Sequence, residues 1–121
     1  MIGVGVDAVD VDRFRQVLAR RPGLAERLFT GGELDYARRK RDPAERLAAR
    51  FAAKEAVLKA LGVGLGAARF QEIEVVRADS GRPALRLSGR ALALASAHQV
   101  RCWHISLTHT AVEAVAVVMA E

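Results

Sequence analysis

The sequence predicts an α+β fold, because the spacing of its apolar residues changes twice along the chain. Apolar residues alternate with other residues over positions 2–7, recur at helical spacing over positions 14–61, and alternate again from position 73 onward. With 121 residues, 51% of them hydrophobic, the chain is long enough for one compact core. We therefore expect a single domain over residues 1–121, with an N-terminal strand, several helices and an antiparallel sheet packed around one long helix.

The predicted first strand has one face without side chains. Apolar residues at positions 2, 4 and 6 alternate with Gly3, Gly5 and Asp7. The two glycines leave room for a close neighbour, and Asp7 ends that bare face with a carboxylate.

Helical segments follow this strand. Residues 14–18 have helical spacing, and a second helical turn at residues 24–29 follows a break at Pro22. Thr30 followed by Glu33 is a capping-box pattern, so a third helix should begin there.

The longest predicted helix covers residues 43–61. Asp42 serves as its expected N-cap and Pro43 as its first residue, and Gly62 ends it. Its apolar stripe consists of Leu47, Phe51, Leu58 and Leu61.

The pattern of the remaining residues predicts mainly strands. Alternating residues on both sides of the turn at 79–81 predict a hairpin, and a short helix follows at 91–97. A strand around residues 103–107 then turns near His109 into a final strand over residues 112–119.

Composition limits the classes of function and partner. Nineteen Lys and Arg against 14 Asp and Glu give a net charge of +5, which favours an anionic partner such as nucleic acid, an acidic protein or a phosphorylated cofactor. The single cysteine, Cys102, cannot form an internal disulfide, and no secretory signal or bilayer-length apolar stretch is apparent. We expect a cytoplasmic protein without a membrane partner.

Three segments contain residues suited to chemistry. The first, residues 3–7, superficially resembles a dinucleotide-binding loop, but no complete strand precedes Gly3. Asp7 is then either a functional carboxylate or a cap for the following helix.

The second segment lies in the long helix. Glu55 and Lys59 occupy one flank of the apolar stripe, although a Glu four residues before a Lys is also an ordinary helix-stabilising pair. Lys54 falls within the stripe, where it must either extend to the surface or meet an anion, and a phosphate is one such anion.

The third segment is residues 104–110. His104, Ser106 and Thr108 share one face of the predicted strand, with His109 and Thr110 at its turn. His104 and His109 as a pair make a poor zinc site without a Cys or Asp, whereas phosphate contact at the turn is chemically reasonable.

Taken together, the three segments resemble the short bacterial phosphopantetheinyl transferases. The resemblance rests on GVGVD at 3–7, RFAAKEAVLKALG at 50–62 and HISLTH at 104–109, with Gly81-Arg82-Pro83 as a supporting turn. It covers nearly the whole chain and implies the fold of those enzymes. It also implies transfer of 4′-phosphopantetheine from coenzyme A to a serine of an apo-acyl carrier protein.

The resemblance implies a role for particular residues. Asp7 and Glu55 should bind Mg²⁺ with the coenzyme A pyrophosphate, and Lys59 should neutralise a phosphate, so these three are the expected catalytic residues. The serine proton should pass to Glu55, to metal-bound water, or to a carboxylate of Glu33 or Asp35. The expected coenzyme A contacts are Lys54, Lys59, Gly62, Gly64, Arg82, Pro83, His109 and Thr110, with the last two holding the adenosine 3′-phosphate.

The resemblance also implies macromolecular partners. Family members act on acidic carrier proteins and suggest a homotrimer with active sites between neighbours. The residues expected to contact the carrier are Arg13, Arg20, Arg21, Arg27 and the apolar Phe51.

Two alternatives use the same residues differently. A small basic nucleic-acid-binding module would explain the charge but gives Asp7 and Glu55 no role beside phosphates. A non-catalytic homologue that only docks carrier proteins has no need of Asp7, Glu55 and Lys59 together.

Overall fold

The computed structural model describes residues 1–121 and confirms the α+β class, with five strands and five helices. The strands are β1 (Gly3–Asp10), β2 (Ile73–Arg77), β3 (Pro83–Leu87), β4 (Trp103–His109) and β5 (Glu113–Ala120). The helices are α1 (Val11–Arg20), α2 (Leu24–Leu28), α3 (Gly31–Arg38), α4 (Pro43–Ala60) and α5 (Gly89–Ala97), and a 3-10 turn, Phe70–Glu72, precedes β2.

The strands form two antiparallel sheets. One sheet has the order β1-β5-β4, so the first strand pairs with the last, and β2 pairs with β3 in a separate hairpin. The predicted first strand was too short, since β1 continues through Asp10.

The larger sheet has two different faces. Its inner face bears the fully buried alanines and valine of β5, namely Ala114, Ala116, Val118 and Ala120. Its outer face is uncovered within the chain and is apolar along β1, where Val4 is 56% and Val6 52% exposed. In register beside them lie Met119 and Val117 of β5. Along β4 the same face is polar and bears His104, Ser106 and Thr108.

Helix α4 lies against the inner face, in contact with β1 and β5. Small residues dominate its buried surface, and Ala48, Ala52, Ala53 and Ala56 have no exposed area. The predicted apolar stripe was too narrow, because α4 is buried on most of its circumference. Two hydrophobic clusters therefore share this helix, one with the β2-β3 hairpin and α5, the other with α1 and α3.

The predicted helix starts had mixed outcomes. The capping box at the start of α3 is present, since the Thr30 hydroxyl accepts from the Glu33 N–H and the Glu33 carboxylate accepts from the Thr30 N–H. Asp42 does not cap α4 with its side chain. Its carboxylate instead accepts a 2.7 Å hydrogen bond from Arg15. None of the helices combines the length and hydropathy that a bilayer crossing requires.

Candidate functional site

Two carboxylates and a lysine converge where β1 crosses α4. The Lys59 ammonium lies 3.0 Å from Asp7 Oδ1 and donates a 2.9 Å hydrogen bond to the Val6 carbonyl. The Asp7 side chain is only 13% exposed, whereas that of Lys59 is 54% exposed. Glu55 stands one helical turn before Lys59 and is close enough to Asp7 for the charges of the two carboxyl groups to interact.

Two glycines of β1, Gly3 and Gly5, allow the strand to approach α4 this closely. A Cβ atom on Gly3 or Gly5 would lie 1.9 Å from the carbonyl oxygen of Ala60 or Ala56, respectively. The β1 backbone therefore packs directly on the α4 backbone, and Asp7, two residues after Gly5, meets the helix where Glu55 and Lys59 emerge. The bare strand face predicted from the sequence thus has a direct structural purpose.

Asp7 is not the cap of α1. That role belongs to Asp10, whose Oδ1 accepts a 2.8 Å hydrogen bond from the Arg13 N–H. The interpretation of Asp7 as a helix cap is thereby removed.

The charges at this crossing suit a divalent cation. Burial, followed by the charge of Asp7, raises the pKa of Glu55 to about 7. Asp7 Oδ2 is buried and has no hydrogen-bond partner. An orphaned carboxylate oxygen beside a second carboxyl group is a donor set that Mg²⁺ favours, so the residues present fit that ion.

Lys54 corrects the sequence prediction of a coenzyme A contact. Its side chain has 0% exposure, and its ammonium donates to Glu33 Oε1 at 2.7 Å and to the carbonyls of Phe70 and Ile73 at 2.9 and 2.7 Å. Burial lowers the pKa of the Lys54 ammonium, and the charge of Glu33 opposes that shift. All three donors are satisfied internally, so Lys54 has no capacity left for a ligand.

The same network removes Glu33 from the possible proton acceptors. Its side chain is also 0% exposed, and its second carboxylate oxygen accepts a 2.8 Å hydrogen bond from the Val75 N–H. Glu33 and Lys54 therefore tie α3 and α4 to β2 as a structural pair.

A second polar site lies at the opposite end of α4. His109 Nδ1 is 2.7 Å from Glu45 Oε1 in the first turn of that helix. Beside them is a cavity of about 230 Å³. Its polar and turn lining includes Tyr36, Arg46, Arg50, Arg77, Gly81, Pro83 and His109.

This cavity is electropositive. Arg50 is buried, its Nε has no partner, and its guanidinium stacks on the Tyr36 ring at 4.3 Å. Burial raises the pKa of Tyr36, but the 2.6 Å hydrogen bond from Arg77 and the positive charges nearby outweigh that effect. The pKa of Tyr36 is therefore lowered. An unpartnered guanidinium donor in such a pocket suits a phosphate.

Sequence reasoning missed the arginines of this cavity. Arg46 and Arg50 are four residues apart on α4, which puts both on one helix face, and that spacing was a usable signal. No sequence pattern signalled Arg77, because this residue reaches the cavity from β2 only through the tertiary fold.

The other expected coenzyme A residues are divided between the two ends of α4. Pro83 lines the arginine cavity with His109, whereas Arg82 is exposed and does not. The Thr110 hydroxyl accepts from the N–H groups of Val112 and Glu113 and so shapes the β4-β5 turn. Gly62 and Gly64 lie in the loop after α4, at the far end from His109.

An apolar groove opens beside Glu55. Its volume is about 660 Å³, and Phe14, Val17, Leu28 and Phe51 contribute to its lining. Arg13 and Arg21 line it as well, and Arg27 lies with Arg21 in an adjoining depression. Arg20 is exposed at the end of α1 but does not line the groove.

Comparison with known proteins identifies the family. The family model described as ACPS, 4′-phosphopantetheinyl transferase superfamily, matches residues 3–118. The chain is 52% identical over 121 residues to the holo-[acyl-carrier-protein] synthase of Frankia alni, covering 100% of this chain and 98% of that relative.

Solved structures agree with this assignment. The fold matches the holo-[acyl-carrier-protein] synthase of Neisseria meningitidis with a TM-score of 0.90 at 28% identity, covering 100% of this chain and 98% of that one. A synthase from Bacillus anthracis, solved in complex with CoA (3′,5′-ADP), matches with a TM-score of 0.81 at 33% identity, covering 99% and 96% of the two chains. The chain therefore belongs to the ACPS family of the 4′-phosphopantetheinyl transferase superfamily.

Proposed function

We propose that this protein transfers the 4′-phosphopantetheine group of coenzyme A to a serine of an apo-acyl carrier protein. The observation that carries the proposal is the cluster of Asp7, Glu55 and Lys59, in which a buried carboxylate oxygen lacks a partner. Family membership supplies the reaction class. A nucleic-acid-binding module is not supported, because it leaves these two carboxylates without a role.

Asp7 and Glu55 would hold Mg²⁺ in this reaction. The ion, when bound, supplies charge neutralisation at the pyrophosphate oxygens. Lys59 is half-exposed beside Asp7, so its ammonium can contact a phosphate without leaving the cluster.

Catalysis by these residues is mainly positioning and charge stabilisation. The serine oxygen forms a bond to the β-phosphorus of coenzyme A, and the bond from that phosphorus to the bridging oxygen breaks. Adenosine 3′,5′-bisphosphate leaves with the bonding electrons. The serine proton passes to the carboxylate of Glu55 or Asp35 or to water, and not to Glu33, which is enclosed with Lys54.

Mass spectrometry of the carrier protein tests this function directly. Apo-carrier incubated with enzyme, coenzyme A and Mg²⁺ should gain one phosphopantetheine group. Asp7→Asn and Glu55→Gln should slow transfer by more than about 100-fold, since each removes a carboxylate that would hold the Mg²⁺. Asp12→Asn, at an exposed carboxylate on α1, is the matched control. Near wild-type turnover in either cluster variant would refute the assignment.

The arginine cavity supports a site for the adenosine 3′-phosphate of coenzyme A. Arg46, Arg50 and His109 offer donors there, and Arg50 Nε is unpartnered. His109→Ala should weaken binding of coenzyme A more than that of dephospho-coenzyme A in calorimetry. Lys59→Ala should weaken binding of both ligands, and equal losses for both in His109→Ala would remove His109 from the 3′-phosphate site.

The separation of the two sites supports an active site between chains. Glu45 and Glu55 are ten residues apart on α4, which is about 15 Å at 1.5 Å per residue. One ribose ring, a much shorter span, separates the 3′-phosphate of coenzyme A from its 5′-pyrophosphate. The cluster of one chain and the arginine cavity of another would together bind one ligand.

The outer face of the β1-β5-β4 sheet is the expected contact in a homotrimer. Val4 and Val6 are exposed there beside Val117 and Met119, and burial of such a face stabilises association. Light scattering should give three times the 13.1 kDa chain mass. Val4→Glu should produce monomers that keep their fold and lose transfer, and a monomeric, fully active wild type would refute the arrangement.

Arg13, Arg21 and Arg27 support docking of an acidic carrier protein at the groove, with Arg20 nearby on α1 and Phe51 as an apolar contact. Electrostatic attraction there should speed encounter and weaken with salt. Arg13→Glu with Arg21→Glu should raise the KM for the apo-carrier and flatten its salt dependence, while coenzyme A affinity stays unchanged. Arg90→Glu on α5 is the control, and an unchanged KM in the double variant would move docking elsewhere.

We place the reaction in the cytoplasm, where the Cys102 thiol stays reduced.

A further inference from the structure

Three potential metal ligands converge at the corner of the larger sheet where the chain ends. Cys102 precedes β4, His104 is its second residue, and Glu121 follows β5. Cys102 and Glu121 face each other directly, since each backbone N–H donates to the other's carbonyl at 3.0 Å. His104 is paired with Met119 one step along the same face. Backbone hydrogen bonds thus hold all three ligands at the paired ends of β4 and β5.

The distances among the ligand atoms match a tetrahedral site. Cys102 Sγ lies 3.7 Å from His104 Nε2 and 3.5 Å from Glu121 Oε1, and the latter two atoms are 3.0 Å apart. Zinc bonds of about 2.3 Å to sulfur and about 2.0 Å to nitrogen and oxygen give tetrahedral edges of about 3.5 Å to sulfur and about 3.3 Å between nitrogen and oxygen. The three atoms are within about 0.3 Å of that geometry before any metal is present.

We propose that Cys102, His104 and Glu121 bind one Zn²⁺ per chain, with water in the fourth position. Thiolate and imidazole are ligands for zinc, whereas Mg²⁺ prefers oxygen. In the metal-free protein the Cys102 thiol donates to Glu121, and zinc binding releases that proton to solvent while three metal bonds replace the contacts within the cluster. The histidine pair considered in the sequence is therefore not the zinc site, because the partners of His104 are Cys102 and Glu121.

The zinc site is separate from the transfer cluster. Asp7 pairs with Ala116, five residues before Glu121 on β5, which is a distance of about 17 Å along the strand. Asp7 also faces α4, while the zinc ligands lie on the opposite face of the sheet with Val4 and Met119. Zinc at this corner would fasten Glu121 to the start of β4 without occupying the carboxylate pair.

Metal titration of the reduced, metal-free native protein tests the site. Competition with a chromophoric chelator should give one Zn²⁺ per chain, and Co²⁺ should produce a thiolate-to-cobalt charge-transfer band with tetrahedral visible bands. Cys102→Ser should abolish the charge-transfer band. Cys102→Ser, His104→Ala and Glu121→Gln should each weaken Zn²⁺ by more than about 100-fold, since loss of supporting partners alone costs about 10–100-fold.

Two controls keep the result interpretable. His98→Ala removes a histidine whose ring contacts only the Leu94 carbonyl, and it should leave Zn²⁺ affinity unchanged. Circular dichroism checks that each variant is folded, and Cys102→Ser should keep Mg²⁺-supported transfer. An unchanged Zn²⁺ affinity in Cys102→Ser, a Co²⁺ spectrum without the charge-transfer band, or a stoichiometry of one metal per three chains would overturn the proposal.

Discussion

Replacing Glu55 with glutamine should stabilise the metal-free protein at neutral and alkaline pH. Burial and Asp7 raise the pKa of Glu55 from 4.5 to about 7. Between these two pH values the folded state holds a proton that the unfolded state has already lost. The contribution of Glu55 to stability is therefore most favourable below pH 4.5 and falls as pH rises towards about 7, above which its penalty is constant. Glutamine keeps the shape of the side chain and removes the ionisation.

The structure sets the size of this effect. A shift from 4.5 to about 7 corresponds to about 3.4 kcal/mol at about 1.36 kcal/mol per pKa unit. Glu55 is only partly buried, and solvent screening reduces the penalty to roughly 1–2 kcal/mol. The variant should exceed the wild type in unfolding free energy by that amount at pH 8 and match it at pH 4.

Urea denaturation at the two pH values measures this difference. The slope of free energy against urea should be the same for both proteins, so that midpoint shifts report stability alone. Asp35→Asn, at an exposed carboxylate of α3, controls for a general effect of charge. Excess Mg²⁺ should reverse the order at pH 8, because an ion held by Asp7 and Glu55 as proposed would stabilise only the wild type. A variant that is less stable than the wild type at pH 8 without metal would refute the reasoning.

Two further substitutions test the packing that positions the cluster. Gly5→Ala puts a Cβ 1.9 Å from the Ala56 carbonyl oxygen, so β1 must move off α4 and the unfolding free energy in urea should fall by about 3 kcal/mol or more. Gly31→Ala, with no atom within 4 Å, is the control, and an equally small loss in both would contradict the packing argument. Lys54→Met should cost about 3–5 kcal/mol because it leaves the Glu33 carboxylate buried without its cation. Adding Glu33→Gln should recover part of this loss, and additive losses in the double variant would show that the pair is not coupled.

Local patterns predicted the parts of the cluster that lie within one element. The glycines before Asp7 and the spacing of Glu55 and Lys59 were visible in the sequence, as was the capping box of α3. Each depends on neighbours a few residues away, which is the range over which strand and helix periodicity acts.

Contacts between distant segments were not predictable in this way. Lys54 pairs with Glu33 from another helix, 21 residues away. Because no local pattern reveals that partner, the position of Lys54 in the apolar stripe indicated a ligand. Asp42 has the residue type and position of a helix cap, but Arg15, 27 residues away, binds its carboxylate. The register of β4 and β5 brings Glu121 to Cys102, and no local pattern encodes that register.

The length of α4 has a consequence for mixtures of defective chains. If each chain gives its Glu55 cluster to one site and its His109 cavity, at the other end of α4, to a neighbouring site, a chain damaged at one end still contributes an intact half to the other. Chains carrying Glu55→Gln and chains carrying His109→Ala would then complement each other when reassembled together, although each is impaired alone. Random mixing in equal amounts would restore about one site in four.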